Sequence, residues 1–212
     1  MALKIDNATN NAQYAITKHR AGYTGEVELK PKIFKEVIRV VKDSFAQDLS
    51  QGHLQKMIYG SSLLLVVSRA DTNVKVGVAS LSYEDKECYF SCAAIVKSER
   101  GNGLYYVMNR LRIKDGLSRG YTAFTVLTQN PKVERSIDRA METLREEGLI
   151  AGHDVKRELI RKCYRRMLTD EVPKSSDERI NNAFSVINYK KGDAFQITFS
   201  VKPRTLRSFF SF

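Results

Sequence analysis

Apolar residues between positions 63 and 96 come in runs divided by short polar breaks. Leu63 to Ser68 is nearly unbroken, Val74 to Tyr83 carries Val76, Val78 and Leu81, and Cys88 to Val96 is the third run. Asp71-Thr72-Asn73 and Glu84-Asp85-Lys86-Glu87 separate them, and this hairpin spacing predicts an antiparallel meander. Elsewhere the period is three to four. Phe34, Ile38, Val41 and Phe45 follow Pro31 and predict a helix with proline in its first turn. A second short helix is predicted from about Leu49 to Tyr59, ended by Gly60. Leu104, Val107, Met108 and Leu111 mark a third helix; Ile137, Ala140, Met141 and Leu144 mark a fourth, closed by Gly148. Between those two, after a turn bracketed by Gly116 and Gly120, Tyr121 to Thr128 reads as a strand that stops at Gln129-Asn130-Pro131. A strand, helix, strand unit of this length predicts a right-handed parallel crossover.

The two ends are patterned differently. Residues 1–25 are polar; Tyr14, Ala15 and Ile16 suit a short strand, and the remainder reads as an arm or loop. Beyond 150, Val155, Leu159, Cys163 and Met167 recur every four residues, and Ile160, Tyr164 and Leu168 widen the stripe. Arg157, Arg161, Lys162, Arg165 and Arg166 lie across from it, so the pattern predicts a basic amphipathic helix. After a linker at Pro173 to Asp177, Phe184–Tyr189 and Ala194–Val201 flank the turn signal Lys190-Lys191-Gly192-Asp193, predicting a last hairpin followed by a basic, aromatic tail. The organisation expected is one domain: an arm (1–25), a core (26–150), a basic helix and linker (151–176), and a closing hairpin with its tail (177–212).

The chemistry concentrates where the third strand of the meander meets the third helix, in Ile95-Val96-Lys97-Ser98-Glu99-Arg100-Gly101-Asn102-Gly103-Leu104. Strand, glycine loop and helix in this order leave unpaired N–H groups and the positive end of a helix dipole at the loop mouth, where a phosphate binds. Glycine lets a ligand approach the backbone closely, and it is equally at home in an ordinary left-handed turn. A dinucleotide fingerprint needs a third glycine and a ribose-binding acid, and a Walker A loop needs Gly-Lys-Ser/Thr; neither pattern is here.

Arg100-Gly101-Asn102-Gly103-Leu104 behind an apolar strand resembles the acetyl-CoA-binding motif of the GCN5-related N-acetyltransferases, Arg/Gln-x-x-Gly-x-Gly/Ala, and the element order over 26–150 is similar to that family. The chain departs from the motif at Tyr105, which stands where the family usually has Gly or Ala. The resemblance implies an α/β fold of α+β type, with a mixed, mostly antiparallel twisted sheet flanked by helices, here with the basic helix inserted before the last hairpin. It implies acetyl-CoA as cofactor, its pyrophosphate on the loop and its pantetheine arm in a splay opened by a strand bulge at Ala93 to Lys97. The cofactor contacts would be Ile95, Lys97, Arg100, Gly101, Asn102, Gly103 and Leu104, with Asn130 either near the cofactor or simply capping a helix. In the family the first two helices carry part of the acceptor pocket; they equally serve to cover a sheet face. Many members place a tyrosine four residues before the glycine that closes the fourth helix, as general acid for the departing thiolate. Leu144 holds that position here. A general base is often a Glu, and Glu84 and Glu87, just before the strand that feeds the loop, are the candidates by type; as turn carboxylates they are equally surface charges.

The 42% apolar and 28% charged composition is that of a globular protein, and the longest apolar run is too short to cross a bilayer. The N-terminus lacks the apolar core of a signal peptide, and Cys88, Cys92 and Cys163 have no metal-ligand spacing, so no metal and a reducing, cytoplasmic setting are expected. Net charge is +11, of which +6 falls in residues 150–212. That bias suits nucleic acid or an acidic protein surface as partner, or a plain solvated face, with oligomerisation through the C-terminal helix and tail as a further expectation. The function expected is acetyl transfer to an amine of a protein, small molecule or nucleic acid. The alternative is a catalytically inactive protein of the same fold, acting as a binding or structural component of a nucleoprotein or virus-like particle.

Overall fold

A computed structural model describes residues 2–5, 14–22, 25–45, 50–164 and 171–204. Its centre is one eight-stranded sheet in the order β1-β2-β3-β4-β5-β6-β8-β7. The strands are β1 Ala2–Ile5, β2 Tyr14–Arg20, β3 Leu63–Arg69, β4 Lys75–Glu84, β5 Glu87–Ile95, β6 Ala123–Thr128, β7 Ile150–Ile160 and β8 Ala194–Pro203. Every pairing is antiparallel except β5 with β6, which is parallel and bridged by α3 (Leu104–Ser118), as the crossover pattern requires.

The apolar runs read from the sequence are the centre of this sheet. Leu63 to Val67 of β3 are all buried, as in a strand covered on both faces. α1 (Pro31–Ser44) starts on its proline and buries Phe34, Val37, Val40 and Val41 toward β4 and β5. α2 is Gln51–Tyr59, and α4 (Pro131–Glu146) buries Ile137, Ala140, Met141 and Leu144. Gly116 lets α3 lie close on the sheet: a Cβ there would sit 2.6 Å from Phe124 and 2.8 Å from the Cys88 sulfur.

Both ends of the chain depart from the sequence reading. Over its described residues the predicted arm is largely sheet, because β1 pairs with β2 and β2 pairs along its whole length with β3. Of the predicted basic helix, the part up to Ile160 is β7, an eleven-residue strand that pairs with β8, and residues 161–164 turn away from it. Residues four apart share one face of a strand as well as one face of a helix, so the Val155 and Leu159 spacing fits both periods. Arg165, Arg166, Met167 and Leu168 lie outside the described residues, as does the tail beyond Arg204. The final hairpin is accordingly β7–β8; its long connection holds α5 (Glu178–Phe184), and the expected strand Phe184–Tyr189 is the end of that helix and the turns after it. The insertion thus sits inside the last strand pair, not before it. No helix among the described residues is long and apolar enough to cross a membrane.

Candidate acyl-donor site

β5 is where the sheet opens. Its register against β4 shifts between Ser80 and Ser82, so that Phe90 and Ser91 face the single residue Leu81: a β-bulge. The pairing of β5 with β6 ends at Tyr89 and Thr125, immediately before that bulge, and the two strands then diverge. The expected bulge exists, but below the Ala93 to Lys97 stretch rather than within it. Val96 donates its N–H to Val76 O at 2.9 Å, which by alternation turns the backbone groups of Ala93 and Ile95 away from β4 and into the opening. On the opposite wall, Val201 N–H bonds Thr122 O at 2.7 Å, so Leu127 in turn directs its N–H and C=O into the gap.

The bulge is held from below by Arg112 of α3, whose side chain is fully buried. Its Nη1 donates to Ser80 O at 2.9 Å and Cys92 O at 3.2 Å, its Nη2 to Asn109 Oδ1, and its guanidinium lies 4.2 Å from the centre of the Phe90 ring. Burial lowers its pKa, as expected for a cation that has exchanged water for carbonyls. Tyr105 is beside it; burial raises the phenol while Arg112 opposes that rise. The Tyr105 side chain reaches along α3 to hydrogen-bond partners Asn109 and Arg112, one and two turns on.

The gap leads up to the glycine loop. Gly101 and Gly103 have φ of 90° and 72°, and a Cβ on either would meet nothing within 4 Å. Gly103 is the N-cap of α3 without a side-chain cap, and the first turn holds no acid. Open space before bare, uncapped amides is what a phosphate needs. The loop's own side chains face inward and fix its shape. Glu99, 4% exposed, accepts hydrogen bonds from Tyr14 (2.6 Å), Arg69 (2.8 Å) and Asn102 (3.2 Å). Arg100 donates to Ser44 O at 2.8 Å, at the carbonyl end of α1, and Lys97 N–H bonds Asp43. The loop's polar side chains at 99, 100 and 102 are thus committed to the protein, and its backbone is what faces the opening.

Beside the loop, between the first turns of α3 and α4, is a groove of about 450 Å³ lined by Tyr106, Lys132, Arg135, Arg139, Ser175 and Ser176. Arg139 stacks on Tyr106 at 5.0 Å, and Arg135 pairs with Asp138 at 3.0 Å. Sequence reading missed this groove because its cations are spread over a helix whose basic residues look merely solvated.

Other candidates fall elsewhere. Asn130 caps α4, accepting from Lys132 N–H at 2.9 Å. Glu84 and Glu87 flank the β4–β5 turn at the far end of β5 from the loop; Glu87 accepts from Thr125 Oγ1 at 2.9 Å. Arg157 is bound to buried Glu134 and Arg161 to Asp193 at 2.6 Å, while Lys162 sits in the turn after β7. The basic helical face for an anionic partner is not formed by these residues. Burial pushes the Cys92 thiol up to about 12, so it packs as an apolar side chain. Leu144 is fully buried in the core.

An open, mostly antiparallel sheet splayed at a bulge, with a glycine loop over the splay, is the architecture of the GNAT superfamily, and the chain has that fold. The ribosomal-protein-S18-alanine N-acetyltransferase of Escherichia coli superposes with a TM-score of 0.55 at 12% identity, over 92% of this chain and 99% of that one. A GNAT family acetyltransferase from Elizabethkingia anophelis, with acetyl-CoA bound, gives 0.51 at 13% identity, over 87% and 97%. Ard1 from Thermoplasma volcanium gives 0.52 at 12%, over 89% and 99%. No protein-family model and no curated protein matches the sequence.

Proposed function

We propose that this chain is an acetyl-CoA-dependent N-acetyltransferase acting on an amine of a protein, small molecule or nucleic acid. The observation that carries the reading is the continuity of the β5–β6 gap with the bare N-terminus of α3. The residues present fit the cofactor's chemistry. Loop amides from Gly101 to Leu104 suit its pyrophosphate, the gap-facing backbone of Ala93 and Ile95 suits the amides of its pantetheine arm, and Lys132 and Arg139 suit its remaining phosphate. Bound there, it would supply an activated acetyl thioester.

What the chain itself contributes is placement and polarisation. The splay holds the thioester and excludes water, and orientation of this kind supplies much of the rate. Strand N–H groups facing the gap are positioned to accept the charge that develops on the carbonyl oxygen. Tyr105 leaves the loop free because it is directed along α3 rather than into the glycine cradle. The neighbour crystallised with acetyl-CoA supports this choice of donor.

Calorimetric titration with acetyl-CoA tests the reading, run on the wild type and on Gly103→Arg. Micromolar binding that the variant loses is the expected result, since Arg at φ 72° is strained and fills the cradle. A folded wild type that takes up no acetyl-CoA overturns it.

A further inference from the structure

The position from which many GNAT enzymes donate a proton is occupied here by buried Leu144, yet a different phenol enters the gap. We propose that Tyr164, on the segment following β7, is the proton donor to the leaving sulfur; this rests on the acetyl-transfer reading above. Its hydroxyl donates to Leu127 O at 3.1 Å. That carbonyl is one of the groups turned into the β5–β6 opening. Leu127 lies two residues beyond Thr125, the last β6 residue paired with β5, which places it about 7 Å above the closed end of the gap. It is therefore level with the bulge and just below the Ala93 and Ile95 backbone, the part of the opening where an arm paired to those residues would end.

Tyr164 is held there. Its N–H bonds Gly192 O at 3.0 Å, and the Cys163 thiol lies 3.3 Å from the same carbonyl. Gly192 has φ 75°, and a Cβ on it would run into the Tyr164 carbonyl, so the two segments interlock. Its titratable neighbour is Cys163, which in turn faces Asp193, itself paired with Arg161. Burial, then Cys163, raises the phenol above its ordinary value, which keeps it protonated at neutral pH. Rotation about the bond to the hydroxyl is enough to turn its hydrogen from Leu127 O to a group across the gap.

In the step assigned to it, the amine nitrogen bonds the carbonyl carbon and the carbon–sulfur bond breaks. Sulfur leaves with the bonding pair and takes the Tyr164 proton as a free thiol. The tyrosinate is returned to the neutral phenol by the proton the amine gives up, directly or through water. The half-buried Tyr105 is turned instead toward Asn109 and Arg112 beneath β5.

Calorimetry of free CoA and acetyl-CoA at about pH 9, where an ordinary thiol is mostly ionised, tests this without an acceptor. Tyr164→Phe removes one hydroxyl and is expected to fold with an unchanged melting temperature. Its affinity for CoA should fall roughly tenfold to a hundredfold through loss of a hydrogen bond to thiolate, while acetyl-CoA binds within twofold of wild type. CoA binding unchanged in Tyr164→Phe overturns the proposal alone. Tighter acetyl-CoA binding by Tyr164→Ala overturns it too, making the side chain a plug. Failure of wild type to bind either compound overturns it together with the function on which it rests.

Discussion

Three glycines show how much one missing Cβ decides. Gly101, Gly103 and Gly192 all have φ between 72° and 90°, a region that costs other residues roughly 1–2 kcal/mol. They differ in surroundings: Gly103 faces open space, whereas Gly192 backs on the Tyr164 carbonyl. Gly103→Ala should therefore lose about 1 kcal/mol in urea denaturation, and Gly192→Ala distinctly more, because backbone must move as well as twist. Equal losses would mean that the 164 segment gives way without cost. The loop glycines were legible in the sequence because an Arg-Gly-Asn-Gly run is rare enough to notice. Glu99 and Arg112 were not. A charge is buried only when its partners come with it, and those of Glu99 include Tyr14, 85 residues away.

At the scale of elements, long apolar runs and proline-started helices formed where the pattern placed them. β7 did not, since a step of four satisfies both periods and the cations of the segment looked solvated. The sheet brings His153 and Arg157 to partners on α4 instead. His153 bonds Asp138 at 2.8 Å, and Arg157 grips Glu134, whose side chain is 2% exposed. Arg157→Ala would strand that carboxylate and should cost about 2–3 kcal/mol, less than a fully buried pair because Arg157 is a third exposed. Arg161→Ala should cost less, as Asp193 keeps N–H donors from Lys162 and Asn188. Urea denaturation of the two variants ranks them; the reverse order would mean that β7 is not anchored through α4.

For the molecule as a whole, the shifted groups set a stability plateau. Asp115 stays below its ordinary pKa: burial pulls it up, but hydrogen bonds from Arg20 and Tyr83 outweigh this, and His153 lowers Asp138. Carboxylates depressed in the folded state contribute fully above the unfolded value of about 3.9 and lose that contribution as pH falls through the folded values. Burial raises the Cys88 and Cys92 thiols to about 12, and their contribution is complete below an unfolded value of about 8.5 and lost as pH rises toward 12. Urea midpoints should thus be nearly level from pH 5 to 8 and fall below about pH 4 and above about pH 9. A midpoint at pH 3 or pH 10 as high as that at pH 7 would contradict these assignments.

The sequence by itself determined the meander, the parallel crossover, the four helices from Pro31 to Gly148 and the glycine loop, because each is written in a period or turn signal within about fifteen residues. Only the tertiary structure decided that the N-terminal segment is sheet, that Val155 and Leu159 belong to a strand, and where β5 breaks from β6. It alone brought Tyr164 to Leu127, 37 residues apart in the chain, and Arg112 under the bulge. Strand pairing and burial are choices among distant partners, and a local pattern carries no term for them.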